Sequence, residues 1–152
     1  MAGMRLRAIA SLLATLCLAC ATVTAADFRA VTEEAAILYD APSSQSKKLF
    51  VVNRGYPLEV IVVVEGWVKV RDANGALSWV DAKLVSSKLR TLIVKVPVAQ
   101  VRQAAEDNAP VVFQAQQDVV LELTEVVAGG WLRVRHRDGV SGFVRVAQVW
   151  GV

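Results

Sequence analysis

The chain has 152 residues, which is room for one ordinary domain or two very small ones. Its 17 Lys and Arg against 14 Asp and Glu give a formal charge of +3. Acids and bases are interleaved, so despite a pI near 9.1 there is no long-range field for nucleic acid, and that partner class is excluded.

The N-terminus opens with Arg5 and Arg7, then an uncharged apolar run from Ala8 to Ala21, then the small residues Thr22-Val23-Thr24-Ala25-Ala26. A basic start, a short apolar core and a small-residue end predict a cleaved secretory signal peptide over residues 1–25. The run is short for roughly 30 Å of hydrocarbon, which argues against a retained anchor. Cleavage after Ala25 or Ala26 removes both cysteines, Cys17 and Cys20, together with Arg5 and Arg7. The mature chain is then left near +1 with no thiol, and no further transmembrane segment follows. A second reading takes Leu18-Ala19-Cys20 as the end of a lipoprotein signal with Cys20 lipidated, although Cys17 stands where such signals carry leucine. One acyl chain alone holds a membrane weakly.

The rest of the chain is a repeat. Gly66-Trp67-Val68-Lys69-Val70-Arg71 returns as Gly130-Trp131-Leu132-Arg133-Val134-Arg135, and Ser78-Trp79-Val80 as Gly142-Phe143-Val144. Leu58-Glu59-Val60 returns as Leu121-Glu122-Leu123. The offset is 63 before Gly66 and 64 after it, so one inserted glycine, Gly129, accounts for the difference. Each copy reads as strand throughout. Leu58 to Val64 is a β-branched run, and Trp67 to Arg71 alternates polar and apolar. Gly66 and Gly129-Gly130 mark tight turns, and Asn74-Gly75 and Asp138-Gly139 are hairpin signals. Ala41-Pro42-Ser43-Ser44-Gln45 is a longer loop, and Ala99 to Asp107 reads as strand then loop. The prediction is an all-β protein of two tandem small β-barrels, residues 27–86 and 90–152, after the signal. Leu89 in the short linker predicts that the barrels pack against each other, with Trp150 a candidate for the contact.

Period two points Val68, Val70, Leu132 and Val134 into the barrels. It leaves outward strips of Trp67, Lys69 and Arg71 in one copy and Trp131, Arg133 and Arg135 in the other. A ring flanked by bases can stack on sugars or peptide planes and pair with carboxylates. Trp79, with Tyr39 and Arg102 at the groove edge of each copy, completes the candidate ligand-binding set. Alternatives stay open for these aromatics: they close a barrel end, lie under the loop or sit between the barrels, and Trp79 and Phe143, which follow the last hairpin, read as core plugs ahead of groove walls. Catalysis lacks parts. The mature chain has no Cys, and its one His, His136, sits in a turn between Arg135 and Arg137, a solvated position. One His cannot build a zinc site. Glu33-Glu34 and Glu106-Asp107 are neighbours that extended chain points to opposite faces, hence surface acids. No metal, cofactor or catalytic residue is expected.

The ordered pieces Ala41-Pro42-Ser43, Arg54-Gly55-Tyr56-Pro57-Leu58-Glu59-Val60-Ile61, Trp67-Val68-Lys69-Val70-Arg71-Asp72, Gly75 and Trp79-Val80 resemble the bacterial SH3-like (SH3b) family. The likeness covers about residues 30–150 and is closest to its tandem, signal-bearing proteobacterial members. Where that family usually has Asn-Val-Arg, the first copy has Ile37-Leu38-Tyr39, and only the second keeps Val101-Arg102. The second copy lacks the Pro-Ser loop. The resemblance implies a non-catalytic periplasmic binding module for peptidoglycan or an extended partner peptide. The alternative is a structural adaptor that docks an envelope protein along a strand edge.

Overall fold

The structure, a computed structural model, describes residues 25–152. The expected signal segment, with Cys17 and Cys20, lies outside the described residues except for Ala25. The first unit runs β1 (Phe28–Val31), β2 (Ala35–Tyr39), β3 (Lys48–Asn53), β4 (Pro57–Val64), β5 (Trp67–Arg71), β6 (Leu77–Asp81), a 3-10 turn (Ala82–Leu84) and β7 (Val85–Ser86). The second runs β8 (Thr91–Val94), β9 (Val98–Arg102), β10 (Val111–Gln116), β11 (Val120–Val127), β12 (Trp131–Arg135), β13 (Ser141–Arg145), a 3-10 turn (Val146–Gln148) and β14 (Val149–Trp150). Strand order is the same in both sheets, β3-β2-β6-β5-β4-β1-β7 and β10-β9-β13-β12-β11-β8-β14. The chain is thus a duplicated all-β structure, and the two 3-10 turns were not anticipated from the sequence.

The hairpins follow from local chemistry. β4 turns into β5 through Gly66 at φ 78°, and β11 turns into β12 through Gly129 and Gly130 at 77° and 79°. Left-handed backbone is cheap only for glycine, so the inserted Gly129 lengthens the second turn without strain. Alternation then sorts the side chains. Val68, Val70 and Val80 join Leu38 and Leu58 in the first core, and Leu132, Val134 and Val144 join Leu92 and Leu121 in the second. Burying each such side chain contributes about 1.5–3 kcal/mol. The outer edge strand β3 leaves Phe50 and Val51 50% and 66% exposed.

The units meet at a seam built around β8, whose four residues are all buried. Leu92 and Val94 belong to the second unit's own core, while Thr91 and Ile93 do not and are buried all the same. Thr91 Oγ1 donates to the Gly55 carbonyl at 2.6 Å. Lys95 Nζ donates to the Ala73 carbonyl at 2.7 Å and to Asn74 Oδ1 at 3.3 Å, crossing from the second unit to a turn of the first. Trp150 packs edge-on against Phe28 with ring centroids 5.0 Å apart, the contact foreseen for it. Thr91→Val keeps the shape of the side chain but removes its hydrogen bond inside the seam. It is expected to lower unfolding free energy by about 1–3 kcal/mol in urea titrations. An unchanged midpoint would show that this contact contributes nothing.

Candidate functional site

Three strands of the first unit present one outer face. Period two turns Trp67, Lys69 and Arg71 of β5 outward, with Trp79 and Asp81 of β6 and Tyr39 of β2. Antiparallel register sets Tyr39 beside Trp79, Trp79 beside Lys69, and Trp67 beside Asp81. Tyr39 and Trp67 meet edge to face with centroids 5.5 Å apart and planes at 88°. The Lys69 ammonium lies 5.8 Å from the Trp79 ring centre, inside cation–π range. All four side chains are half-buried, so each keeps surface toward solvent. The neighbouring loop is braced by the Ser46 hydroxyl, which donates to the Ala41 carbonyl at 3.0 Å and the Ser43 carbonyl at 2.6 Å. Arg71 leaves the cluster, because its guanidinium pairs with Glu59 at 2.9 Å across to β4. Tyr39, Trp67, Lys69 and Trp79 therefore come together on one face, with Trp79 on the outer side rather than in the core, and Arg71 does not join them.

The second unit departs from the expected open strip. Trp131 is only 4% exposed, because the Arg145 guanidinium stacks 4.2 Å from its ring centre. Arg145 is held there by Asp107, with Nε 3.0 Å from Oδ1 and NH2 on Oδ2, and NH1 donates to the Gly129 carbonyl at 3.0 Å. The cause is a single cross-strand position: β13 places Arg145 opposite Trp131, where β6 places Asp81 opposite Trp67. A planar guanidinium stacks on a ring and forks onto a carboxylate at once. Trp131 is thus a covered structural ring. Asp107 is its clamp, an exposed surface acid as expected, here paired with Arg145.

The remaining candidates of the second unit are also engaged. Arg102 braces its own loop, donating to the Ala109 carbonyl at 2.7 Å and to Gln100 Oε1 at 2.6 Å. Arg135 sends Nε and NH2 to Glu122 at 3.1 and 2.7 Å. Arg133 lies 6.0 Å over Phe143 and 4.0 Å from Glu125, about half exposed. Neither Arg102 nor Arg135 offers a free cation to a ligand. Asp81 and Arg145 are the residues that sequence reasoning missed. Aligning the copies would have exposed them as one position with inverted charge.

The hydrogen bond from Arg145, reinforced by the charges of Arg145 and Arg102, holds the Asp107 carboxyl below the ordinary carboxylate range. A carboxyl depressed in the folded state favours folding above its unfolded pKa, near 4, and loses that contribution as pH falls through its folded value. Acidification below about pH 4 is therefore expected to release Arg145 and shift tryptophan emission. Asp107→Asn should lack this step. The same acid shift in that variant would assign it to another group.

His136 is tied down within its turn, with Nδ1 3.0 Å from Asp138 and its ring 5.9 Å from Phe113. A cavity of about 740 Å³ opens at the seam rather than at the aromatic face. Its lining sets Arg54, Arg135 and Arg137 against Glu34, Asp118 and Glu122 and includes none of the aromatic candidates. Its opposing charges offset one another. Among the described residues no group of three or more His, Cys, Asp or Glu converges as a metal site, and no helix is long and apolar enough to cross a membrane.

The family model for the bacterial SH3 domain matches the chain twice, at residues 32–87 and 95–151. No curated protein matches. Among solved structures the chain is similar to NlpC1 from Trichomonas vaginalis at 12% identity and TM-score 0.38, covering 91% of this chain and 50% of that one. It is likewise similar to NlpC2 from the same organism at 11% and 0.38, covering 83% and 48%. An NlpC/P60 family protein from Bacillus cereus shows 14% and 0.38, covering 82% and 56%. The chain spans about half the length of these structures.

Proposed function

Since the chain belongs to the bacterial SH3 domain family, with one matched copy in each half, we propose that it is a non-catalytic envelope module whose first unit binds an extended ligand. The ligand is the stem peptide of peptidoglycan or a peptide of a partner protein. The observation that carries this reading is the open cluster of Tyr39, Trp67, Lys69 and Trp79, set against a second unit whose equivalent tryptophan is covered. Aromatic rings supply rigid stacking surface at low entropic cost, and Lys69 supplies a donor for a carboxylate. The apolar leader of the sequence supports export to the compartment where such ligands occur.

Purified protein incubated with sacculi tests the reading. Retention should fall at least tenfold in Trp67→Ala, with circular dichroism unchanged, as hot-spot aromatics at binding surfaces lose about 2 kcal/mol or more on truncation. Retention that ignores the substitution would remove the cluster from binding. A second reading, an adaptor that pairs along a strand edge, is favoured by Phe50 and Val51 exposed on edge strand β3. It predicts no sacculus retention at all.

A further inference from the structure

The two copies carry the same tryptophan with opposite partners, and the second copy displays what such a tryptophan holds. Resting on the reading that the Trp67 cluster is a binding face, we propose that its occupant is a cationic side chain, arginine or lysine, on a peptide segment of a partner protein. That side chain seats between Trp67 and Asp81.

Trp67 and Trp131 are structurally equivalent, each opening the strand after the glycine turn and each paired with the last residue of the next strand. In the second unit that last residue is Arg145, and its guanidinium fills the face of Trp131 at 4.2 Å. The protein thereby carries its own ligand there: a cation on the ring, forked onto an acid. In the first unit the corresponding residue is Asp81, so an acid is paired across from the ring, and among the described residues no cation lies over it.

The turn adds a second acid. Glu65 stands in that turn, immediately before the Gly66 that precedes Trp67, and it is exposed. Among the described residues neither Glu65 nor Asp81 takes part in an ion pair. Asp81 Oδ1 accepts from the Lys83 amide at 2.9 Å, which fixes the carboxylate and leaves its other oxygen available. Of the nearby cations, Lys69 lies over Trp79 rather than Trp67.

A ring with a carboxylate at the paired position of the next strand and no cation over it is a receptor for one, because the ring face and the acid attract the same charge. The guanidinium of the internal example is protein chemistry, which favours a partner protein as the source. Tyr39 and Trp79 beyond Trp67 then offer surface to the flanking peptide.

The test uses the full chain and two five-residue probes, acetyl-Gly-Ala-Arg-Ala-Gly-amide and its citrulline counterpart, which keeps the shape and removes the charge. Calorimetry and the tryptophan indole NMR signals report binding. The arginine peptide is expected to bind at least tenfold more tightly than the citrulline peptide and to move the Trp67 signal. Asp81→Asn keeps a side-chain acceptor for the Lys83 amide, and it should erase that preference. Asp81→Arg should close the first face as Arg145 closes the second, protecting Trp67 and blocking both peptides. Equal binding of the two peptides, or an Asp81→Asn variant that keeps the preference, overturns the cationic occupant. If Trp67→Ala still abolishes sacculus retention in that case, the binding face itself survives. If Trp67→Ala changes neither sacculus nor peptide binding, both readings fall. A stem peptide ending in diaminopimelate that outcompetes the arginine peptide would place the cation on the wall polymer and overturn the protein partner.

Discussion

Trp131→Ala is expected to destabilise the second unit by about 3–5 kcal/mol, the range for truncating a buried aromatic. The equivalent change in the first unit, Trp67→Ala, should cost only about 1–2 kcal/mol because that ring is half-buried and less apolar area leaves water contact. The difference rests on Arg145. With the indole removed, its guanidinium loses the surface it stacks on and the bonds to Asp107 and Gly129 close over a void. A unit of about 60 residues has only a few kcal/mol in hand, so the second half should unfold near room temperature on its own core. Denaturant titration with hydrogen exchange resolved by residue would locate the loss in β9 to β13. Equal losses for the two variants would mean that Arg145 does not hold the ring.

Gly142→Ala should cost about 3 kcal/mol, at the upper end for overpacking a filled core. A methyl group there would lie 2.6 Å from Val101 Cγ1 and 2.7 Å from the Arg102 carbonyl oxygen. The second of these is backbone and cannot swing aside, so β13 and β9 would have to separate. The first copy has Ser78 at the same place, and its buried hydroxyl has no hydrogen-bond partner among the described residues. Ser78→Ala should therefore be neutral or mildly stabilising, since it removes an unpaired polar group. Thermal unfolding of the two variants decides the matter. A tolerated Gly142→Ala would show that the two strands have slack.

Much of the fold was legible because it depends on neighbours in sequence. Glycine turns and period-two alternation fixed the β4–β5 and β11–β12 hairpins and the inward faces of Val68, Val70, Leu132 and Val134. The shared face of Tyr39, Trp67 and Lys69 was legible for the same reason, because outward residues of paired strands fall side by side, whereas Trp79 read as core. What escaped was set across the sheet. The cover on Trp131 needs Arg145 opposite it and Asp107, 38 residues away, swung onto the guanidinium. Arg71 and Arg135 look like ligand-facing bases along their own strands, and only the facing strand shows Glu59 and Glu122 taking them up. Arg102 likewise reads as a groove edge until its loop folds back onto it.

β8 has no solvent side. A second unit expressed alone would bare Ile93 and Thr91, a short sticky strip on the face of its sheet, and should aggregate or dimerise through it. The two units then depend on each other rather than hanging as beads on a string. A third copy could be appended only with a matching surface to receive it, and any shuffling that cuts between the halves would leave an orphan.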